Sequence, residues 1–167
     1  MTESTPQPTP NWQLITTRQE YRQALAALVD SAQLRLRVFD ADARELELQG
    51  LEMYERLASF LLRSRDSRIA IILHSVDYLT RNGARFHELM RRFGGQITVY
   101  RTEGEATRAH DCFVIADDMH VVRRAVQAQA RGAYLRDDPQ EVQRMIERFD
   151  QILESSPLAL SATTLGL

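Results

Sequence analysis

The sequence predicts an α/β domain with a mixed sheet between helices, and three observations carry that expectation. Residues 69–73 and 112–116 are unbroken apolar runs, too short for helices and typical of strands buried on both faces. Strand-like and helix-like periods alternate through the first part of the chain, as in α/β proteins. Segments 112–116 and 120–124 are separated only by Asp117-Asp118-Met119, which reads as a hairpin and adds an antiparallel portion late in the sheet.

Each element has its own signal. Residues 1–11 hold three prolines among Thr, Ser and Gln and read as a flexible leader; the folded domain is expected over 12–156, with a tail of no assignable period at 157–167. Thr17 and Glu20 have capping-box spacing ahead of Tyr21, Leu25 and Leu28, so a helix is expected over about 18–31. Leu34, Leu36 and Val38 alternate with arginines as in a strand. Tyr54, Leu57, Ala58 and Leu61 mark a second helix, and Phe86, Leu89, Met90 and Phe93 a third, ending at Gly94-Gly95. Residues 97–100 and 132–135 read as further strands. Asp138 and Pro139 then open a last helix along the stripe Val142, Met145, Ile146, Phe149, Ile152 and Leu153.

Composition removes several kinds of chemistry. All 21 basic residues are arginine, so no lysine is present to form a Schiff base, act as a base or serve a P-loop. A single Cys excludes an internal disulfide and any multi-cysteine metal site, and no metal or cofactor is expected. The formal charge of −2 is spread along the chain without a basic arm, so charge alone points to no nucleic acid. No apolar run reaches a membrane span and no signal peptide is evident, so the expected location is cytoplasmic.

One short stretch carries chemistry. His110-Asp111-Cys112-Phe113-Val114-Ile115-Ala116-Asp117 resembles the His-x-Lys-x-x-x-x-Asp motif of the phospholipase D superfamily, with Cys112 at the lysine position. The resemblance extends over roughly 18–156 and implies a phospholipase D-like α/β fold with helices on both faces of its sheet. It further implies that His110 matches a nucleophile on phosphorus and Asp117 the motif's acidic position. A one-motif chain would then have to form a homodimer to assemble two histidines.

A neutral thiol cannot stabilise phosphate oxygens as an ammonium does, and loss of one such cation costs a factor of roughly 10²–10³. The expected site is therefore vestigial: a non-catalytic, regulatory or binding module in which His110 and Asp117 share a phosphate-binding cleft with Cys112, His120, Arg108, Arg123 and Arg124. One alternative is a dimeric phosphodiesterase or nuclease in which Arg101, Arg108, Arg123 or Arg124 replaces the lysine. Val121, Val122, Ala125 and Val126 are candidates for the centre of a dimer interface. Residues 129–134 approach the pyrophosphate loop of acetyltransferases, but two acidic residues and Pro139 follow where a helix should begin. The chain, to its SATTLGL end, also resembles uncharacterised bacterial domains associated with acetyltransferases, which implies a partner domain for such an enzyme.

Overall fold

The computed structural model describes residues 11–166; the expected leader therefore lies, but for its last residue, outside the described residues. The chain runs β1 (Trp12–Ile15), α1 (Arg18–Ser31), β2 (Arg35–Asp40), α2 (Leu51–Leu62), β3 (Arg68–Leu73), α3 (Asp77–Asn82), α4 (Ala84–Arg92), β4 (Ile97–Arg101), β5 (Cys112–Ala116), β6 (His120–Arg124), β7 (Gly132–Leu135), α5 (Pro139–Glu154) and β8 (Leu158–Leu160). These strands form one sheet in the order β1-β7-β6-β5-β2-β3-β4-β8. β2, β3 and β4 are parallel, and the other pairings are antiparallel.

The sheet's two faces are apolar for a reason visible in the alternation of β5. Val114 and Ala116 turn toward one core with α1, α2 and α4, whereas Phe113 and Ile115 turn toward a second core closed by α5. Both runs anticipated as central strands lie inside the sheet, with β5 buried at every position. α1 starts where the capping box predicts: the Thr17 side chain accepts from Glu20 N–H, and the Glu20 carboxylate accepts from Thr17 N–H. Asp138 caps α5 by accepting from Glu141 N–H at 3.1 Å.

Three parts depart from the sequence reading. The expected tail contributes β8, an edge strand paired with β4 that buries Leu160. β1 forms the opposite edge, and the short α3 precedes α4. Val121 and Val122 are fully buried core residues, so they are unavailable to a dimer interface; Ala125 and Val126 are exposed. Among the described residues, no helix is long and apolar enough to cross a membrane.

Candidate functional site

Strand polarity brings the chemistry-bearing residues to one end of the sheet. The C-terminal ends of β2, β3 and β4 lie beside the start of β5, the end of β6 and the start of β7. His110, Asp111, Cys112, Arg123 and Arg124 all fall there. Asp117 and His120 do not: the β5–β6 register pairs Cys112 with Arg124 at this end and Ala116 with His120 at the other. The expected sharing of a cleft by His110 and Asp117 is not what the strand geometry produces.

At the far end, Asp117 ties two strands together. Its residue adopts φ 53°, a left-handed conformation that Asp tolerates better than most side chains. Its carboxylate accepts backbone N–H bonds from Gln33, Leu34 and Arg35 at 2.9, 2.8 and 2.9 Å. Those three donors lie at the entrance to β2, so Asp117 fixes the β5–β6 turn against its neighbour strand. His120 Nδ1 accepts from Asp137 N–H at 3.1 Å. Arg108 sits exposed in a short helical turn, Gly104–Arg108, away from the cleft described below.

Cys112 and Arg124 are joined within a buried cluster. Arg124 is 3% exposed; its Nε donates to Cys112 Sγ at 3.2 Å, its Nη1 donates to Glu45 at 2.6 Å, and its guanidinium lies 4.2 Å from the centre of the Tyr21 ring. Burial pushes the Cys112 thiol up to about 11, and the nearby Asp40 carboxylate adds to the shift. Burial likewise raises the Asp40 carboxyl, against hydrogen bonds from Ala43 and Asp42 N–H. The Tyr21 phenol is also pushed well up by burial, and the nearby Asp40 carboxylate adds to the shift. Cys112 is thus an unionised thiol facing an already occupied cation.

His110 stands outside this cluster, exposed, with no side-chain hydrogen bond among the described residues. Its backbone is fixed from two sides. His110 C=O accepts from Gln127 N–H at 2.8 Å, and the preceding Ala109 C=O accepts from His74 Nε2 at 2.7 Å. Because a carbonyl only accepts, His74 carries its proton on Nε2, and Thr102 Oγ1 donates to Nδ1 at 2.7 Å. These partners make His74 the clamp on the segment that leads into His110.

The open cavity lies to the side of His110, on the α5 face. It is a cleft of about 650 Å³ between the β6–β7 connection, β1 and α5, lined by Arg123, Arg124, Arg131, Arg148 and Asp111 among apolar groups including Trp12. Arg148 donates to both Asp111 carboxylate oxygens, through Nε at 2.7 Å and through Nη2. Arg123 pairs with Glu141 and Arg124 with Glu45, whereas Arg131 is exposed and forms no ion pair among the described residues. Arg131 entered the sequence reading only within the 129–134 stretch that approaches an acetyltransferase loop, and Arg148 was missed. Nothing in the sequence marks Arg148 apart from the rest of the polar face of α5.

Gly132 has a packing role here. A Cβ at that position would lie 2.3 Å from Arg123 C=O and 2.8 Å from Arg124 Cγ, so only glycine allows β6 and β7 to approach so closely. The residues that approached an acetyltransferase loop therefore run into a strand, β7, with no helix to receive phosphates. Among the described residues no group of three or more His, Cys, Asp or Glu side chains is arranged to hold a metal ion.

The fold has solved counterparts. The chain covers 90% of itself and 98% of Nuc from Salmonella typhimurium, a phospholipase D family member, at a TM-score of 0.64 and 12% identity. NucT from Helicobacter pylori matches at a TM-score of 0.60 and 14% identity, over 89% of this chain and 98% of that one. TrmBL2, an archaeal chromatin protein whose structure shows a mode of DNA binding, matches at a TM-score of 0.67 and 12% identity; 91% of this chain is covered but only 55% of TrmBL2. At these identities the likeness shows the fold alone, and that fold is phospholipase D-like. No curated protein sequence matches this one significantly. A family model described as Domain of unknown function (DUF7931) matches residues 17–161, and the chain belongs to that family.

Proposed function

We propose that this DUF7931 domain is a non-catalytic phospholipase D-like module that holds an anionic ligand in the arginine-lined cleft beside His110. The observation that carries the reading is the fate of the lysine position. Cys112 is buried, its thiol stays protonated at neutral pH, and the cation beside it is engaged with Glu45 and with the Tyr21 ring. Phosphoryl transfer depends on a free positive charge aimed at the phosphate oxygens, and none faces His110 from this position. Asp117, the motif's acidic residue, is engaged with three backbone N–H groups at the opposite end of β5.

A dimeric phosphodiesterase is the second reading, and the exposure of His110 favours it, because a homodimer could still bring two such histidines together. Its difficulty is the replacement cation: Arg124 is buried and Arg123 is paired with Glu141. Two measurements separate the readings. Purified protein should not hydrolyse bis-p-nitrophenyl phosphate, and calorimetry should detect pyrophosphate binding that weakens in Arg131→Ala. Turnover abolished by His110→Ala would overturn the non-catalytic reading; absence of pyrophosphate binding up to millimolar concentration would overturn the anion cleft.

A further inference from the structure

The walls of the cleft are not uniform. Trp12 is 53% exposed, Leu14 38% and Val126 40%, and with Met145 and Ala133 they supply the apolar part of a lining shared with four guanidiniums. Trp12 and Leu14 alternate with Ile15, which is buried in the opposite core, so β1 turns both residues toward the cleft. An indole left half exposed at an edge strand offers a flat face for stacking.

Charge limits what the polar part of the lining can hold. Four guanidiniums and one carboxylate line the cleft, and Glu141 and Glu45 behind them neutralise Arg123 and Arg124, while Asp111 neutralises Arg148. The surplus resides on Arg131. Such a balance suits a small anion rather than a polyanion, which would meet a chain of net charge −2. The volume, about 650 Å³, lies within the range of roughly 300–1,000 Å³ typical of small-molecule sites and far exceeds what a bare phosphate fills.

We infer that the cleft takes a mononucleotide, its phosphates against Arg131 and the edge of the Arg123 and Arg148 pairs, and its base against Trp12. This rests on the anion-cleft reading and extends it by assigning the apolar wall. The β6–β7 connection then serves as one jaw: Gln127 holds it to Asp111 C=O at 2.8 Å and to His110 C=O, which places Arg131 without a side-chain tether of its own.

Trp12 is the only tryptophan, so its fluorescence reports on this cleft directly. ADP should change that emission saturably and bind about tenfold or more tighter than pyrophosphate, the increment expected of one base stacked on an aromatic ring. Adenosine should bind weakly, since it lacks the anion. Arg131→Ala should weaken ADP by about tenfold or more, as expected when a charged hydrogen-bonding group is lost. Trp12→Leu, followed by calorimetry, should bring ADP down to the affinity of pyrophosphate; circular dichroism checks that both variants fold. Equal affinity for ADP and pyrophosphate, or ADP binding indifferent to both substitutions, would overturn the assignment while leaving the anion cleft standing. Failure of both probes to bind would remove the cleft reading and the nucleotide with it.

Discussion

Placing lysine at Cys112 restores the phospholipase D motif on paper, and the structure specifies what that should do. A lysine there begins in a pocket that is 1% exposed and already holds Arg124, whose Nε reaches Sγ at 3.2 Å. Two cations about 4 Å apart repel by about 4 kcal/mol at an effective dielectric constant of about 20. Burying an ammonium adds a desolvation cost of several kcal/mol, partly offset by the Asp40 and Glu45 carboxylates. The expected net loss for Cys112→Lys is about 3–5 kcal/mol, a large part of the roughly 5–15 kcal/mol that holds a domain together.

The cycle with Arg124→Ala makes this sharp. In the native background Arg124→Ala leaves Glu45 only its longer pair with Arg18 at 3.7 Å and removes the contact with Tyr21, so it should destabilise by about 1–3 kcal/mol. In the Cys112→Lys background the same change removes the repulsion, and it should be neutral or stabilising. Urea unfolding of the four proteins measures the coupling, expected at about 3 kcal/mol or more with favourable sign in the double variant. Additive losses would refute the claim that the two side chains compete for one site. The single lysine variant should show no His110-dependent hydrolysis of bis-p-nitrophenyl phosphate; if it folds as well as the native protein and hydrolyses the ester, the reasoning fails.

Alkaline titration should expose the buried thiol. The folded Cys112 thiol is raised to about 11 from an ordinary 9.0, so its contribution to stability is intact below pH 9 and is lost as pH rises through 11; the difference is about 2–3 kcal/mol. Chemical unfolding between pH 8 and 11 should therefore fall more steeply in the native protein than in Cys112→Ser, and parallel curves would contradict the assignment. Asp117→Ala should destabilise by about 1–3 kcal/mol through the loss of three hydrogen bonds to a carboxylate, with Asp117→Asn milder, and pyrophosphate affinity should be the same in all three proteins. A selective loss of binding would instead place Asp117 at the ligand.

How much of this was legible follows from where the signals are local. The caps of α1 and α5 and the apolar runs of β3 and β5 are written in consecutive residues, and each appears where the sequence puts it. β8 has only three residues, one of them buried, so no window of the sequence distinguishes it from a loop; pairing with β4 creates it. β1 fails for the same reason, with three of its four residues exposed. The cleft is less legible still, because Arg131 and Arg148 come together only when β7 and α5 are placed on either side of the β6 end. The Cys112–Arg124 contact depends on the hairpin register, which the tight turn at 117–119 fixes: Ala116 opposite His120 puts Cys112 opposite Arg124.

The position of Asp117, by contrast, was implicit in the motif. A strand advances about 3.3 Å per residue, so two residues seven apart on an extended run stand about 23 Å from each other. Once 112–116 reads as a buried strand, His110 and Asp117 must flank it at opposite ends, and no single cleft can hold both. The spacing that makes the stretch resemble a catalytic motif is also what excludes direct cooperation of its first and last members within one chain. An acidic residue at the far position has a different task, available locally: three N–H groups at the start of β2 point outward where the strand begins, and the turn residue after β5 reaches them. That task is independent of any chemistry at His110. The fold therefore calls for Asp117 on structural grounds alone, because the strand pair needs the carboxylate whether or not phosphate is ever bound.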